Sequence, residues 1–273
     1  MRPNPIFDVV NQEWIRSVQN PRIKAVKRLD KAAVRRETGM FVVEGLRELS
    51  LALKAGYVIH QLYSCPPLMK TDPLYDPSPL LQHPELSLVS EEVYRSMAYR
   101  DSTEGILAVL ERKEQSLQSL QLPPQPLILV IDRVEKPGNL GAMLRTADAA
   151  GVDAVILCDN QTDCYNPNVI RSSLGTLFTL PVALSSAAEA CRFLRQQHIT
   201  SYAAALSDKS ISYTAADYRS GTAFLLGAEA DGLSSFWLQE ADHQVIIPMR
   251  GQIDSLNVSV AAALLLFEAR RQR

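Results

Sequence analysis

From Leu127 to Met249 short, uninterrupted apolar runs alternate with segments of helical spacing, and few folds accept that order. LILVIDRV (127–134), AVILC (154–158), SYAAAL (201–206), GTAFLLG (221–227) and HQVIIPM (243–249) read as strands. NLGAMLRTADAAG, NPNVIRSSLGTLF and SAAEACRFLRQQH between them read as helices, the second with Asn166 as N-cap and Pro167 at its first position. A terminal helix, VSVAAALLLFEARRQR, follows. Strands apolar throughout need cover on both faces, and strands separated by helices pair in parallel. The expected fold is therefore α/β, with a parallel sheet between helical layers. In such sheets ligands bind beyond the carboxyl ends of the strands. Chemistry is expected in the loops after Val134, Gly227 and Met249.

Three segments carry that chemistry. In DRVEKPGNLGAMLRTADAAG (132–151), Pro137 and Gly138 turn the chain and Asn139 stands where the helix should begin. Leu140, Leu144 and Ala147 form the buried stripe, with Arg145 beside it, and Gly141 would admit a close backbone or ligand. Asn139 could equally serve only as a cap, and Arg145 could pair only with Asp148. There is no GxGxxG or GK[ST], which disfavours a dinucleotide or ATP phosphate loop. In FLLGAEADGLS (224–234), Glu229 follows the strand end at Gly227, placed to accept from sugar hydroxyls or to cap the next helix. In IPMRGQIDSLNVSVAAA (247–263), an all-apolar helix opens on Gly251, Asp254, Ser255 and Asn257. If that helix is buried, Asp254 or Ser255 can cap it, and the remaining donors and acceptors need a ligand.

The N-terminal part differs in charge. Residues 1–60 hold eleven basic side chains against six acidic ones, although the whole chain has a net charge of −2. A local cationic surface of this kind suits phosphate binding, and Lys24, Lys27, Arg28 and Arg35 are its candidates. IKAVKRLDKAAVRRE has helical spacing, MFVVEG is a strand, LRELSLALKAG a helix stopped at Gly56, and VIHQLYSC and GILAVLE are strands. The Pro-rich CPPLMKTDPLYDPSP is expected to be an exposed loop. QSLQSLQLPPQP (115–126) reads as a linker between a small α/β domain over 1–114 and the larger one over 127–273. The four cysteines form no CxxC pair and lie away from histidines, so no metal site and a reducing, cytoplasmic setting are expected. No segment reads as a signal peptide or a membrane span.

KPGNLGAMLRTADAAGV, LLGAEADGL and IPMRGQIDSLNVSVAAA, in this order, resemble the three motifs of the SpoU (TrmH-type) RNA ribose 2′-O-methyltransferases of the SPOUT superfamily. YNPNVIRSSLGTLFTLPV between the first two matches as well, and adds Arg171 to the RNA-contact candidates. The segment from Asn20 to Gly56 resembles that family's small RNA-binding domain. The resemblance implies S-adenosylmethionine as cofactor, a ribose 2′-hydroxyl of ribosomal or transfer RNA as acceptor, a homodimer, and a C-terminal trefoil knot. It implies catalytic or substrate-holding roles for Asn139, Arg145, Glu229, Ser255 and Asn257, and cofactor contacts for Gly227, Ile247 and Leu256. One departure is Thr103-Glu104, where the family often has a proline–glutamine pair. The rival expectations are a cofactor-binding protein without RNA methylation and a base-methylating SPOUT enzyme.

Overall fold

The computed structural model describes residues 14–70, 72–99, 104–159 and 162–273. They form two compact units, one of the described residues up to Lys113 with Tyr165–Pro167, the other of the described residues within Glu114–Cys164 with Asn168–Arg273.

In the first unit the elements run β1 (Trp14–Ile15), α1 (Pro21–Arg28), α2 (Ala32–Thr38), β2 (Met40–Glu44), α3 (Leu46–Lys54), β3 (Ile59–Ser64), α4 (Ser78–Leu81), β4 (Leu86–Val89), α5 (Glu91–Met97) and β5 (Ile106–Glu111). The strands form one sheet in the order β1-β4-β3-β5-β2, parallel between β1, β4 and β3 and antiparallel on either side of β5. Ile23, Val26, Leu29, Tyr63, Val93 and Leu107 share a core on one face of it.

The helical run from Ile23 to Glu37 is broken into α1 and α2. Arg35, expected on the surface, explains the break. It is 1% exposed, and its Nη1 donates to the carbonyls of Leu29 and Asp30 at 2.8 Å each. Those oxygens lie at the end of α1, where helical partners run out. Arg35 is thus part of the interior, and its place among the RNA contacts is withdrawn. The Pro-rich stretch carries α4, and beyond it β4 and α5 had no counterpart in the strand and helix reading of the sequence. Ser90 opens α5 by accepting from the Val93 amide.

In the second unit follow β6 (Leu127–Asp132), α6 (Pro137–Ala149), β7 (Ala154–Cys158), α7 (Pro167–Ser172), β8 (Val182–Ser185), α8 (Ala187–Gln196), β9 (Thr200–Ala204), β10 (Ile211–Ser212), β11 (Thr222–Leu226), α9 (Ser235–Glu240), β12 (His243–Ile246) and α10 (Val258–Gln272). Seven strands among the described residues make a sheet in the order β10-β12-β9-β11-β6-β7-β8, parallel at every pairing. β6 and β11 are adjacent, so the loops leaving their carboxyl ends are neighbours. The segment 115–126 lies against this unit: the Leu184 amide donates to Gln115 O and Leu117 is buried in the core. NPNVIRSSLGTLF is a short helix, α7, ended by Leu174 and Gly175 at positive φ and followed by a 3₁₀ turn over Thr176–Phe178.

α10 departs from the expectation of a helix buried all round. Ala262, Leu265, Leu266 and Ala269 face inward, and α10 packs on α6. Val260, Leu264 and Phe267, spaced by four and three residues, are 47%, 37% and 52% exposed. The residues leading into α10, from Gly251 to Ser255, are exposed too. Asn257 is the N-cap, accepting from the Ser259 amide at 2.9 Å, and neither Asp254 nor Ser255 takes that place.

Candidate functional site

The three sequence segments meet in the second unit through side chains far apart in the chain. Asn139 lies in the first turn of α6, after the N-cap Lys136, so its amide is not spent on capping. Its Nδ2 donates to Glu229 Oε1 at 2.5 Å, while its Oδ1 accepts from Asn257 Nδ2 at 3.2 Å. Asn257 Oδ1 is meanwhile occupied by the Ser259 amide and hydroxyl. One amide thus bridges the loop after β11 and the start of α10. Asn139 and Glu229 are half-buried, and Asn257 is exposed. Burial halfway gives such bonds definite geometry while leaving a face open to a ligand.

Backbone packing holds these groups in place. The loop after β11 folds back on itself, with Ala228 and Gly232 exchanging amide–carbonyl bonds at 3.0 Å. A Cβ on Gly227 would stand 2.1 Å from the Gly232 carbonyl carbon and oxygen, so only glycine fits. The space beside Gly141 is likewise taken, by Ser172 and the Ser173 amide, and not by room for a ligand. Asp132, at the end of β6 and 1% exposed, accepts from the Ser234 amide at 2.9 Å, which fixes where the Glu229 loop ends. Asp132 was not singled out in the sequence, although a carboxylate closing an apolar strand is the signal that drew attention to Glu229. Burial, and after it the charges of Asp132 and Asp159, push the neighbouring Cys158 thiol up.

Arg145 is exposed on α6, and no described residue forms an ion pair or hydrogen bond with it. Asp148, its possible partner, instead accepts from the Thr179 hydroxyl at 2.6 Å. A guanidinium offers five donors in a planar fork and no acceptor. Left without a partner among the described residues on the same helix as Asn139, it is available to a phosphate or a developing oxyanion.

A cavity of about 170 Å³ opens between the carboxyl ends of β9 and β12 and the start of α10. Ile247, Met249, Leu256 and Ala205 give it apolar walls, and Asp254 and Ser255 give it a polar edge, the Ser255 hydroxyl donating to Asp254 Oδ1 at 3.1 Å. Ile247 and Leu256 thus line one cavity, whereas Gly227 is not among the lining residues. The slot is smaller than the roughly 300–1,000 Å³ of ordinary small-molecule sites, and it offers one apolar wall and, at its rim, a carboxylate that can accept from a hydroxyl.

Of the cationic candidates, Lys24, Lys27 and Arg28 are exposed along α1, and Arg171 is exposed on α7. Glu104, at the departure from the family's pattern, accepts from the Leu46 amide at 3.2 Å and so places negative charge at the start of α3. Among the described residues, no group of three or more His, Cys, Asp or Glu side chains could hold a metal ion, and no helix is long and apolar enough to cross a membrane.

This arrangement has close relatives. The model of the SpoU rRNA Methylase family matches residues 126–267, and that of the MRM3-like substrate binding domain matches residues 20–108. The 23S rRNA (guanosine(2553)-2′-O)-methyltransferase RlmP of Bacillus subtilis (strain 168) is 32% identical over 256 residues, covering 94% of this chain and 98% of that one. A 23S rRNA (uridine(2479)-2′-O)-methyltransferase of Streptomyces viridochromogenes is 31% identical over 88% of this chain and 85% of its own. The AdoMet-bound rRNA methyltransferase from Sinorhizobium meliloti superposes with a TM-score of 0.85 at 30% identity, covering 95% of this chain and 97% of that one. Family match, full-length similarity and shared architecture agree: the chain belongs to the SpoU rRNA methylase family.

Proposed function

We propose that this protein transfers the methyl group of S-adenosylmethionine to a ribose 2′-hydroxyl of ribosomal RNA. The observation that carries the reading is the bridge from Asn139 to Glu229 and Asn257, with Arg145 exposed and unengaged on the same helix, α6. The relatives named as 23S rRNA 2′-O-methyltransferases over nearly the full chain favour ribosomal RNA over transfer RNA. Ile247, Leu256 and the backbone at the end of β11 would hold the cofactor, which when bound supplies an electrophilic methyl on a sulfonium sulfur. This chain's residues then need to orient the hydroxyl and manage its proton. Glu229, aligned by Asn139, holds the ribose; Arg145 clamps the adjacent phosphate and stabilises negative charge growing on the 2′-oxygen. Ser255 and Asn257 keep the last loop against the cofactor.

The exposed stripe of Val260, Leu264 and Phe267 on α10 supports a homodimer as part of this reading, since three large apolar side chains on one helical face are seldom left in water. Threading of the terminal segment through a loop, and a cytoplasmic location, belong to the same proposal. The test supplies radiolabelled cofactor and RNA from cells lacking this protein. Label should survive in alkali-resistant dinucleotides of ribosomal RNA, because a 2′-O-methyl group blocks cleavage at its own phosphate. Arg145→Ala should abolish that label while binding the cofactor normally. Label retained by Arg145→Ala to within a few fold would remove Arg145 from the chemistry.

A further inference from the structure

We propose that the first unit carries a subsite for one unpaired nucleotide of the substrate RNA, in which the indole of Trp14 stacks on the base and Arg16 and Arg22 hold its phosphates. The inference rests on the reading of the protein as an RNA methyltransferase. The site is a cavity of about 380 Å³ at the β1 edge of the five-stranded sheet, within the size range of small-ligand pockets. Trp14, Arg16, Ser17, Asn20, Arg22 and Ser87 line it, and among the described residues that line it none is acidic.

The two tryptophans of the chain contrast. Trp237 is 0% exposed in the core of the second unit, whereas Trp14 is 36% exposed at the cavity wall. A half-open indole beside cations suits a base better than it suits water. Arg22 is held in place from two sides: its Nη2 donates to Ser87 Oγ at 3.1 Å, and its guanidinium carbon lies 5.8 Å from the centre of the Tyr63 ring. One of its five donors is therefore spent, and a preoriented fork remains for a phosphate. The start of α1 is not the anion site, because the Asn20 side chain already accepts from the Arg22 amide. A concave pocket with a stacking face cannot take a base that is paired within a helix, so the ligand is single-stranded: a loop, bulge or end.

The experiment uses the intrinsic fluorescence of the full chain titrated with a short single-stranded RNA and with a duplex of equal length. The single strand should quench the exposed tryptophan and the duplex should not. Trp14→Ala should weaken single-strand binding about five- to a hundred-fold, the range one stacked base carries, and Trp14→Phe should recover most of it. Arg22→Gln should lower the slope of log affinity against log salt by about 0.7, one phosphate's share on a single strand. Cofactor affinity and melting temperature serve as controls. If the wild-type protein methylates RNA while Trp14→Ala binds the single strand as tightly as wild type, the subsite is overturned and the function stands. If the quench and its loss are seen but no RNA is methylated, the function fails and the subsite stands. Absence of any RNA binding overturns both.

Discussion

Asn139 is the side chain on which the candidate site turns. Its two amide atoms serve two different loops, so no substitution of similar size preserves both bonds. Asn139→Ala should lower kcat/KM at least about tenfold, the scale of one lost positioning contact, with a melting temperature near wild type. Asn139→Asp faces Glu229 with a second carboxylate at the same distance. Like charges so close favour protonation of one of them, so the activity of this variant should rise as pH is lowered below neutral, where wild type shows no such gain. A pH–rate profile parallel to wild type would show that the Asn139–Glu229 contact does not exist in the working enzyme. Gly227→Ala should cost about 1–3 kcal/mol in denaturant unfolding, because its Cβ meets the Gly232 backbone and no rotamer change relieves that contact. At this scale the sequence singled out candidate residues but not the partners they bind. Spacing placed Asn139, Glu229 and Asn257 in three loops. It could not show that Asn139 lies past the cap and free to bridge, nor that Arg35 turns inward to serve two stranded carbonyls. Those outcomes depend on neighbours that no local pattern contains.

At the scale of elements, α6 and α10 hold the site between them. The guanidinium of Arg270 on α10 donates to the carbonyls of Ala150 and Gly151, the oxygens that α6 leaves unpaired at its end. Arg270→Ala should therefore destabilise the fold by about 1–2 kcal/mol, read as a lower denaturant midpoint with an unchanged slope. A second contact sets a dependence on pH. Hydrogen bonds from Arg271 and Gln272 hold the Glu268 carboxyl down at about 2. The folded value lies below the ordinary glutamate value near 4.3. The contribution is thus present above about pH 5 and is lost as pH falls towards 2. With Arg271 largely in water this effect is small. Glu268→Gln should flatten the acid limb of a melting-temperature profile, and an unaltered limb would mean that the pair contributes nothing. The strands of the second unit were legible because sheets covered on both sides demand unbroken apolar runs. β4 and α5 escaped because they are four and seven residues long and follow a proline-rich stretch. The split between α1 and α2 escaped because its cause, Arg35, lies after the break.

For the molecule as a whole, the open question of association has a definite handle. Val260, Leu264 and Phe267 present apolar surface away from α6. Phe267→Glu should shift the protein from dimer to monomer in sedimentation velocity, and methyl transfer should fall with it if each site depends on its partner copy. A wild-type protein that sediments as a monomer at micromolar concentration would remove the dimer from the reading. The parallel sheet and the order of the motifs were readable from the chain, because both follow from patterns repeated along it. The exposed face of α10 was not, since an apolar helix looks the same in sequence whether its cover is its own core or a second molecule.

The bond between Asn139 and Glu229 spans 90 residues and that between Asn139 and Asn257 spans 118. A catalyst assembled from such distant stretches has no working fragment and no half-active intermediate. During refolding from denaturant, recovery of helix and sheet signal should therefore precede the return of turnover, which waits for the last loop to arrive. If these residues carry the reaction as proposed, a chain still under synthesis should not act on RNA before Asn257 has been made and docked, so that the onset of activity is timed by the span of two hydrogen bonds.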